Sequence, residues 1–431
     1  MVTVMKKICF FLVACASLPL LTVAQSRNVD WIPGLGGSAS TWTTVANAYA
    51  GDGQNPGLRD IPTSRRSGFN TTNGIPAFAS DVRDVTGGAN TIAIGHSLGG
   101  TAIRQIDLWN SNHWSGGITV GSPLAEARIA LSPQNGLGQQ FFNGSIVELI
   151  RGPAAGSIAL QILAPPVGIL IDQVAHYGTL YSNNIASVIV NSISNSLGMT
   201  PATAADLDPA GGYMQGIANQ NTNTPKINVW GNEDNPVLWR LAGSFAEKPD
   251  QWGIDLANRA AGIYTTAADI EYVTSWISPF IFAHGYYNWR GHQWMAGANW
   301  LRNTANPAWQ TIIGAAYYES AIVPQWEYDF DTCGGVAQLC ADPNDPNCDD
   351  SRCFRWVDRQ VNVYRVEQSD GVVPASSQRN DGRAWRGHIV EAPGINHMEM
   401  REYDRIRPTF NSIFDGDNIG NQRVFRIGPR P

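Results

Sequence analysis

Residues 90–100 read NTIAIGHSLGG, and the expected fold is built around this segment. A short apolar run ends at Gly95, and apolar residues then recur at helical spacing, as at Ile103 and Ile106. The change of period predicts a strand that enters a helix through a sharp turn, with Ser97 at the apex of that turn.

A serine between two glycines at such a turn is typical of a nucleophile elbow. The turn is so tight that the serine takes a strained backbone conformation and its neighbours must be small, as Gly95 and Gly99 are. The Ser97 hydroxyl then lies at a helix N-terminus, where the helix dipole and free N–H groups stabilise developing negative charge. A Gly/Ser-rich turn without chemistry is the alternative, and the flanking strand and helix favour the elbow.

The composition predicts a globular protein that does not bind nucleic acid. Hydrophobic residues make up 43% of the 431-residue chain and charged residues 15%, which is not the composition of a disordered chain. The net charge is −7 and no run of Lys or Arg forms a basic patch, so a nucleic-acid partner is not expected.

The N-terminus, residues 1–24, is predicted to be a signal peptide. Lys6 and Lys7 precede an apolar run over residues 8–23, and small residues offer a cleavage site before Gln25. We therefore expect a secreted or periplasmic protein. A lipoprotein anchored through Cys15 is the alternative, but it would leave a very short apolar core in the signal.

Four cysteines outside the signal peptide cluster late in the chain: Cys333, Cys340, Cys348 and Cys353. An even number of cysteines in an exported protein predicts disulfides, whose pairing stays open. A four-cysteine zinc site is disfavoured by the wide spacings and the oxidising compartment. The acidic loop 342–350 carries oxygen ligands that suit Ca²⁺, but it lacks the EF-hand spacing, so no metal and no cofactor are predicted.

The order of predicted elements divides the chain into a core and two insertions. Strand, helix and strand follow one another around Ser97, which predicts a parallel βαβ unit, and residues 75–85 are predicted to be helical. The predicted segments are a first core part 25–123, a helical insertion 124–224, a core strand within 225–235, a Trp-rich insertion 236–359 and a last core part 360–431. The first insertion is interpreted as a lid or as a packing layer, and the tryptophans as core filling in preference to a ligand-binding wall.

A serine becomes a nucleophile only beside a base that a carboxylate orients. His397 follows the last predicted strand by a short loop and precedes a helix, so we predict it as the base. His96 adjoins Ser97 but is expected to point elsewhere, and His388 begins a strand and so belongs at the other end of the sheet.

Two carboxylates could orient that base. Asp370 comes after the predicted strand 361–366, and Asp234 comes after the predicted strand 226–231. Asp370 is favoured because its strand is expected to lie next to the one that delivers His397. Asp234 stays the alternative acid.

An oxyanion hole requires two N–H donors directed at one point. The N–H group of Leu98 is one candidate, at the start of the helix. The glycine-rich loop 34–36 supplies the other, for which Leu35 is predicted.

Four segments together resemble the α/β-hydrolase fold, and most closely its bacterial lipase and esterase branch. They are GLGG at 34–37, GHSLGG at 95–100, SDGVVP at 369–374 and NHMEM at 396–400. The resemblance implies a mostly parallel central sheet flanked by helices, with large insertions that form a cap or lid. It departs from many relatives at Pro33, where they carry a histidine, and this puts in doubt the bonds that usually steady the oxyanion loop.

The same resemblance implies an exported serine hydrolase that cleaves carboxylic esters through an acyl-enzyme. Ser97 would be the nucleophile, His397 the base and Asp370 the acid, with the Leu35 and Leu98 amides as the oxyanion hole. The expected partner is a small-molecule or lipid ester, with peripheral contact with lipid surfaces. An acyltransferase or lipid-glycan deacylase with the same triad, and an inactive binding protein on this fold, are the alternatives.

Overall fold

The computed structural model describes residues 25–131, 200–233, 237–245, 251–277, 281–328, 354–417 and 419–430. The predicted signal peptide, Asp234, the cysteine cluster, the acidic loop 342–350 and most of the insertion 124–224 lie outside these residues. Predictions that concern those segments are therefore not addressed by the structure.

Six strands form a central sheet in which every neighbouring pair is parallel. The strands are β1 (Asn28–Ile32), β2 (Ser64–Arg66), β3 (Gly88–His96), β4 (Trp114–Val120), β5 (Lys226–Asn232) and β8 (His388–Pro393). Their order across the sheet is β2-β1-β3-β4-β5-β8. The predicted mostly parallel sheet is confirmed.

Helices connect these strands and cover both faces of the sheet, as parallel strands require. Before β5 they are α1 (Thr43–Ala50), α2 (Ile75–Val85), α3 (Leu98–Trp109), α4 (Pro201–Leu207) and α5 (Gly212–Gly216). After β5 they are α6 (Val237–Phe245), α7 (Trp252–Ile277), α8 (Ile281–Asn299), α9 (Ala305–Ile313), α10 (Ala375–Gln378) and α11 (Tyr403–Asp415). Short 3₁₀ or π turns lie at Ala39–Trp42, Arg128–Leu131, Trp300–Thr304, Glu399–Arg401 and Arg423–Phe425.

Two apolar cores lie on opposite faces of the sheet. Alternate residues of β3 point to different cores: Ala93 packs with α2 and α3, whereas Ile92 and Ile94 pack with α1 and α11. Because both faces are covered, these three side chains are all fully buried. A continuous apolar strand is the expected pattern for such a position.

The helices of the Trp-rich insertion extend the first of these cores. Tyr264 of α7, Trp294 of α8 and Trp309 of α9 belong to the same cluster as Ile103 of α3. Trp294 and Trp309 therefore fill the core, as the favoured interpretation predicts, whereas Trp276 and Trp289 are exposed. No helix in the described ranges is both long enough and apolar enough to cross a membrane.

The placement of the predicted strand 361–366 in the central sheet is wrong. These residues belong to β7 (Phe354–Val366), which pairs antiparallel with β6 (Ala316–Tyr328) in a separate two-stranded ribbon. Alternating polar and apolar residues suit a half-exposed ribbon, whereas a central parallel strand is apolar throughout. Asp370 therefore reaches the sheet from a loop that follows the ribbon.

Candidate active site

Ser97 lies at the end of β3 in the strained backbone conformation predicted for it. Its φ is 54° and its ψ is −126°, which is uncommon for a residue with a side chain. A Cβ on Gly95 would lie 2.6 Å from the main chain of Gly99, and one on Gly99 would lie 2.6 Å from the carbonyl oxygen of Ile32. The two glycines of the motif are thus required by close backbone packing around the turn.

His397 and Asp370 form a direct hydrogen bond. Nδ1 of His397 lies 2.7 Å from Oδ2 of Asp370, and both side chains are buried. The other carboxylate oxygen, Oδ1, accepts the N–H groups of Val372 at 3.0 Å and Val373 at 2.7 Å. Because a carboxylate accepts, Nδ1 of His397 carries the proton and Nε2 keeps its lone pair.

The carboxylate stands at the C-terminal ends of β4 and β5. The N–H of Glu233, just after β5, donates to the carbonyl of Ser369 at 2.8 Å. A Cβ on Gly231 would lie 2.9 Å from the Cβ of Asp370, and one on Gly121 would lie 3.1 Å from its Oδ2. Because Gly231 and Gly121 have no side chains, Asp370 can occupy this space.

The loop that follows β8 carries His397 to the same edge of the sheet. Gly394 turns with φ of 65° and donates its N–H to the carbonyl of Asn232 at 2.7 Å. The N–H of His397 then donates to the carbonyl of Asp370 at 2.7 Å. As predicted, His388 begins its strand and so lies at the opposite end of the sheet.

His96 joins the elbow to the His397 loop. Its Nε2 donates to the carbonyl oxygen of His397 at 2.8 Å, and the two rings lie 4.6 Å apart between centroids. Burial, with smaller contributions from His397 and Arg401, holds the pKa of His96 well below its usual value. No role was predicted for His96 from the sequence. Its position between a buried strand and Ser97 was the signal that could have indicated one.

The loop predicted to complete the oxyanion hole lies against the elbow. A Cβ on Gly34 would be only 2.6 Å from the Cβ of Ser97. The N–H of Gly37 donates to the Gly34 carbonyl at 3.0 Å, and that of Gly36 donates to Thr71 Oγ1 at 3.4 Å. These bonds steady the loop that follows Pro33.

At this edge of the sheet, two backbone N–H groups and the Ser97 hydroxyl make no hydrogen bond within the described ranges. No hydrogen bond among those residues uses the N–H of Leu35 or Leu98, and none joins the Ser97 hydroxyl to His397. Catalytic hydrogen bonds are often long before substrate binds. In the same part of the chain no group of three or more metal-ligating side chains is found.

A parallel six-stranded sheet with a serine elbow at the end of a central strand defines the class of protein. The chain has the α/β-hydrolase fold. Serine, acid and histidine follow one another along the chain in the predicted order. The acid and the histidine, Asp370 and His397, form a buried pair at the same edge of the sheet as Ser97.

Comparison with known proteins gives remote structural likenesses only. The mature form of the Bacillus licheniformis lipase BlEst2 is 10% identical over 91% of this chain and 94% of its own, with a TM-score of 0.38. Est816, described as an N-acyl homoserine lactone degrading enzyme, is 15% identical over 49% and 77%, with a TM-score of 0.24. An extracellular α/β-hydrolase from a Paenibacillus species is 15% identical over 28% and 52%, with a TM-score of 0.21. No protein-family model and no curated protein matches the sequence.

Proposed function

We propose that this protein is a serine hydrolase that cleaves carboxylic esters, with Ser97 as nucleophile, His397 as general base and Asp370 as the orienting acid. The observation that carries the proposal is the 2.7 Å bond between His397 Nδ1 and Asp370 Oδ2, at the same edge of the sheet as a serine with a φ of 54°. A buried carboxylate that accepts from Nδ1 fixes the tautomer in which Nε2 can take a proton.

In the first half of the reaction, Ser97 Oγ attacks the ester carbonyl carbon. Nε2 of His397 takes the hydroxyl proton, and the imidazolium that forms is stabilised by Asp370. The proton then passes from Nε2 to the leaving alkoxide, so that the alcohol departs and Ser97 holds the acyl group as an ester.

In the second half, water replaces the alcohol. Nε2 of His397 takes a proton from the water as its oxygen attacks the acyl carbon, and it returns that proton to Ser97 Oγ as the bond to the serine breaks. The carboxylic acid is released, and the net reaction is ester plus water to acid plus alcohol. No metal or organic cofactor takes part in this sequence.

The negative charge that develops on the carbonyl oxygen would be bound by the N–H groups of Leu35 and Leu98. Both donors lack a partner within the described residues, and the Gly34 backbone lies against Ser97. Donors held in advance at such a point need no reorganisation when the charge appears.

The substrate is proposed to carry an apolar acyl group, as in a lipid or other acyl ester. Leu35 of the oxyanion loop and Met398, the residue after His397, are apolar side chains only partly buried against the first core. Apolar surface next to the reacting atoms favours hydrocarbon over charged acyl groups. Peripheral contact with lipid surfaces and export through the segment 1–24 belong to the same proposal.

A fluorophosphonate probe, which reacts with activated serines, tests the nucleophile. We expect it to label the wild-type protein and the Ser40→Ala control but not Ser97→Ala. Hydrolysis of p-nitrophenyl esters of increasing chain length then separates an esterase from a lipase, and added alcohol acceptors reveal acyl transfer. Labelling that persists in Ser97→Ala, or a wild-type protein that neither labels nor hydrolyses any ester, refutes the proposal.

A further inference from the structure

A buried cluster of charged side chains lies behind the loop that carries His397. Arg240 donates from Nη1 to Glu233 Oε1 at 2.7 Å and from Nη2 to the two oxygens of Glu399 at 2.9 and 3.1 Å. Arg405 donates to Glu399 Oε2 at 3.2 Å. The side chains of both glutamates are almost fully buried, so their charges are tolerated because of the arginines that face them.

The cluster is bonded to the main chain just before His397. Glu399 Oε2 accepts the N–H of Asn396 at 3.0 Å, and Arg240 Nη1 donates to the carbonyl of Gly394 at 3.3 Å. The side-chain oxygen of Asn396 accepts the N–H groups of Met398 at 3.0 Å and Glu399 at 3.1 Å. The course of the loop is thus set by side-chain bonds and by the packing beneath it.

A second bond joins the same loop to the same helix. Ser244 Oγ accepts from Nδ2 of Asn396 at 2.7 Å. Arg240 and Ser244 are four residues apart on α6, and residues at this spacing lie on one face of a helix. One face of α6 therefore holds the His397 loop at two points.

We propose that α6, the first helix of the Trp-rich insertion, positions the general base through Arg240 and Ser244. The inference rests on the proposed role of His397. Neither side chain bonds Ser97, His397 or Asp370 among the described hydrogen bonds, so both are positioning residues. A small displacement of a reacting group costs about 100-fold in rate. The bonds from α6 to the His397 loop should therefore affect kcat more than KM.

Two substitutions, each with a matched partner, test the link. Arg240→Lys keeps the positive charge but loses the planar guanidinium group, which donates to Glu233 and Glu399 at the same time. Ser244→Ala removes the acceptor from Asn396, and Ser244→Thr restores a hydroxyl. Arg59→Lys is the control, since Arg59 is a buried arginine paired with Asp415 at 2.5 Å and bonded to the C-terminal region.

Hydrolysis of p-nitrophenyl butyrate is measured below the melting temperature of every variant. We expect kcat to fall about 10- to 100-fold in Arg240→Lys and about threefold in Ser244→Ala, with KM within about twofold of wild type. Ser244→Thr should recover the wild-type kcat, and Arg59→Lys should lower the melting temperature alone.

The inference is overturned if Arg240→Lys and Ser244→Ala turn over ester as fast as Arg59→Lys, or if KM rises in place of the fall in kcat. Should Arg240→Lys fail to fold, the Ser244→Ala and Ser244→Thr pair decides the outcome. A wild-type protein without esterase activity refutes the proposed function and this inference together. An active wild type with insensitive variants refutes only the inference.

Discussion

His397 and Asp370 meet at 2.7 Å although they follow strands of two different sheets. His397 comes from the loop after β8 in the parallel sheet, whereas Asp370 comes from the loop after the β6–β7 ribbon. The bond depends on Gly231 and Gly121, whose missing side chains admit the carboxylate at the ends of β5 and β4.

Asp370→Asn should abolish most of the activity while leaving the fold intact. The substituted side chain would present an amide of similar shape but without the charge that stabilises the imidazolium, and it would favour the wrong tautomer of His397. We expect kcat to fall about 10⁴-fold, as in a serine protease whose acid is changed in this way. Asp234→Asn is the matched variant and should keep kcat within a few-fold; the reverse pattern would assign the acid to Asp234.

Gly34→Ala should damage catalysis more than stability. Its new Cβ would lie 2.6 Å from the Cβ of Ser97 and 3.0 Å from the carbonyl oxygen of His96, so the oxyanion loop must move. Loss of one donor to the oxyanion costs about 100-fold in kcat, which is the decrease we expect. Gly212→Ala is the control, because a Cβ there meets nothing within 4 Å. Equal kcat values for the two variants would remove the 34–36 loop from the reaction.

His96 should make the folded protein sensitive to acid. Its pKa is held well below the usual value in the fold, chiefly by burial, so below about pH 6.5 the unfolded chain binds a proton that the folded chain does not. Stability contributed by the neutral ring is therefore complete above about pH 6.5 and falls as the pH drops, by up to about 1.4 kcal/mol per pH unit.

Urea unfolding of wild type and His96→Gln between about pH 5 and pH 8 measures this effect. The glutamine amide can donate in place of Nε2 but does not titrate. We expect the free energy of unfolding of the variant to decline less steeply below about pH 6.5. Parallel curves for the two proteins would show that His96 does not contribute to the acid sensitivity.

The hydrogen bonds that Asp107 accepts should matter for the stability of the fold and not for catalysis. Asp107 of α3 is buried and accepts from Trp385 Nε1 at 2.6 Å and from the hydroxyls of Thr222 and Thr224. Asp107→Leu leaves Trp385 Nε1 and the Thr222 hydroxyl without this acceptor, whereas the Thr224 hydroxyl can still donate to the carbonyl of Ser111. It should lower the free energy of unfolding by about 3 kcal/mol or more. Thr222→Val removes one donor and should cost about 1 kcal/mol. Chemical denaturation measures the free energy of unfolding of both variants, and kcat per folded molecule should not change. An equal loss of free energy in the two variants would refute the view that Asp107 stabilises the fold by accepting from several donors.

Local patterns were sufficient to predict the elements around Ser97. The helix predicted over 75–85 has those bounds in the structure, and the strand–turn–helix around Ser97 is also confirmed. In both cases the signal is contained within a few turns of chain: an apolar period of about 3.6 in α2, and a run ending at Gly95 in β3.

The partner of a strand was not predictable in the same way. The alternation in 361–366 indicates a strand correctly, but it does not specify the partner, which is the preceding strand β6 and not a strand of the central sheet. The contacts of Arg240, Ser244 and His96 with the His397 loop were missed for the same reason. They are made between side chains that only the folded sheet and insertion bring together.

The route of the chain to Asp370 has a consequence for biosynthesis. Ser97 leaves the ribosome early, whereas Asp370 becomes available only after the whole excursion from α6 to β7 has been made and its two ends have met at Glu233 and Ser369. Such a closure between remote residues is among the slow steps of folding. A nascent chain that ends before Asp370 and His397 therefore carries the Ser97 hydroxyl without the base and the acid that we propose to activate it.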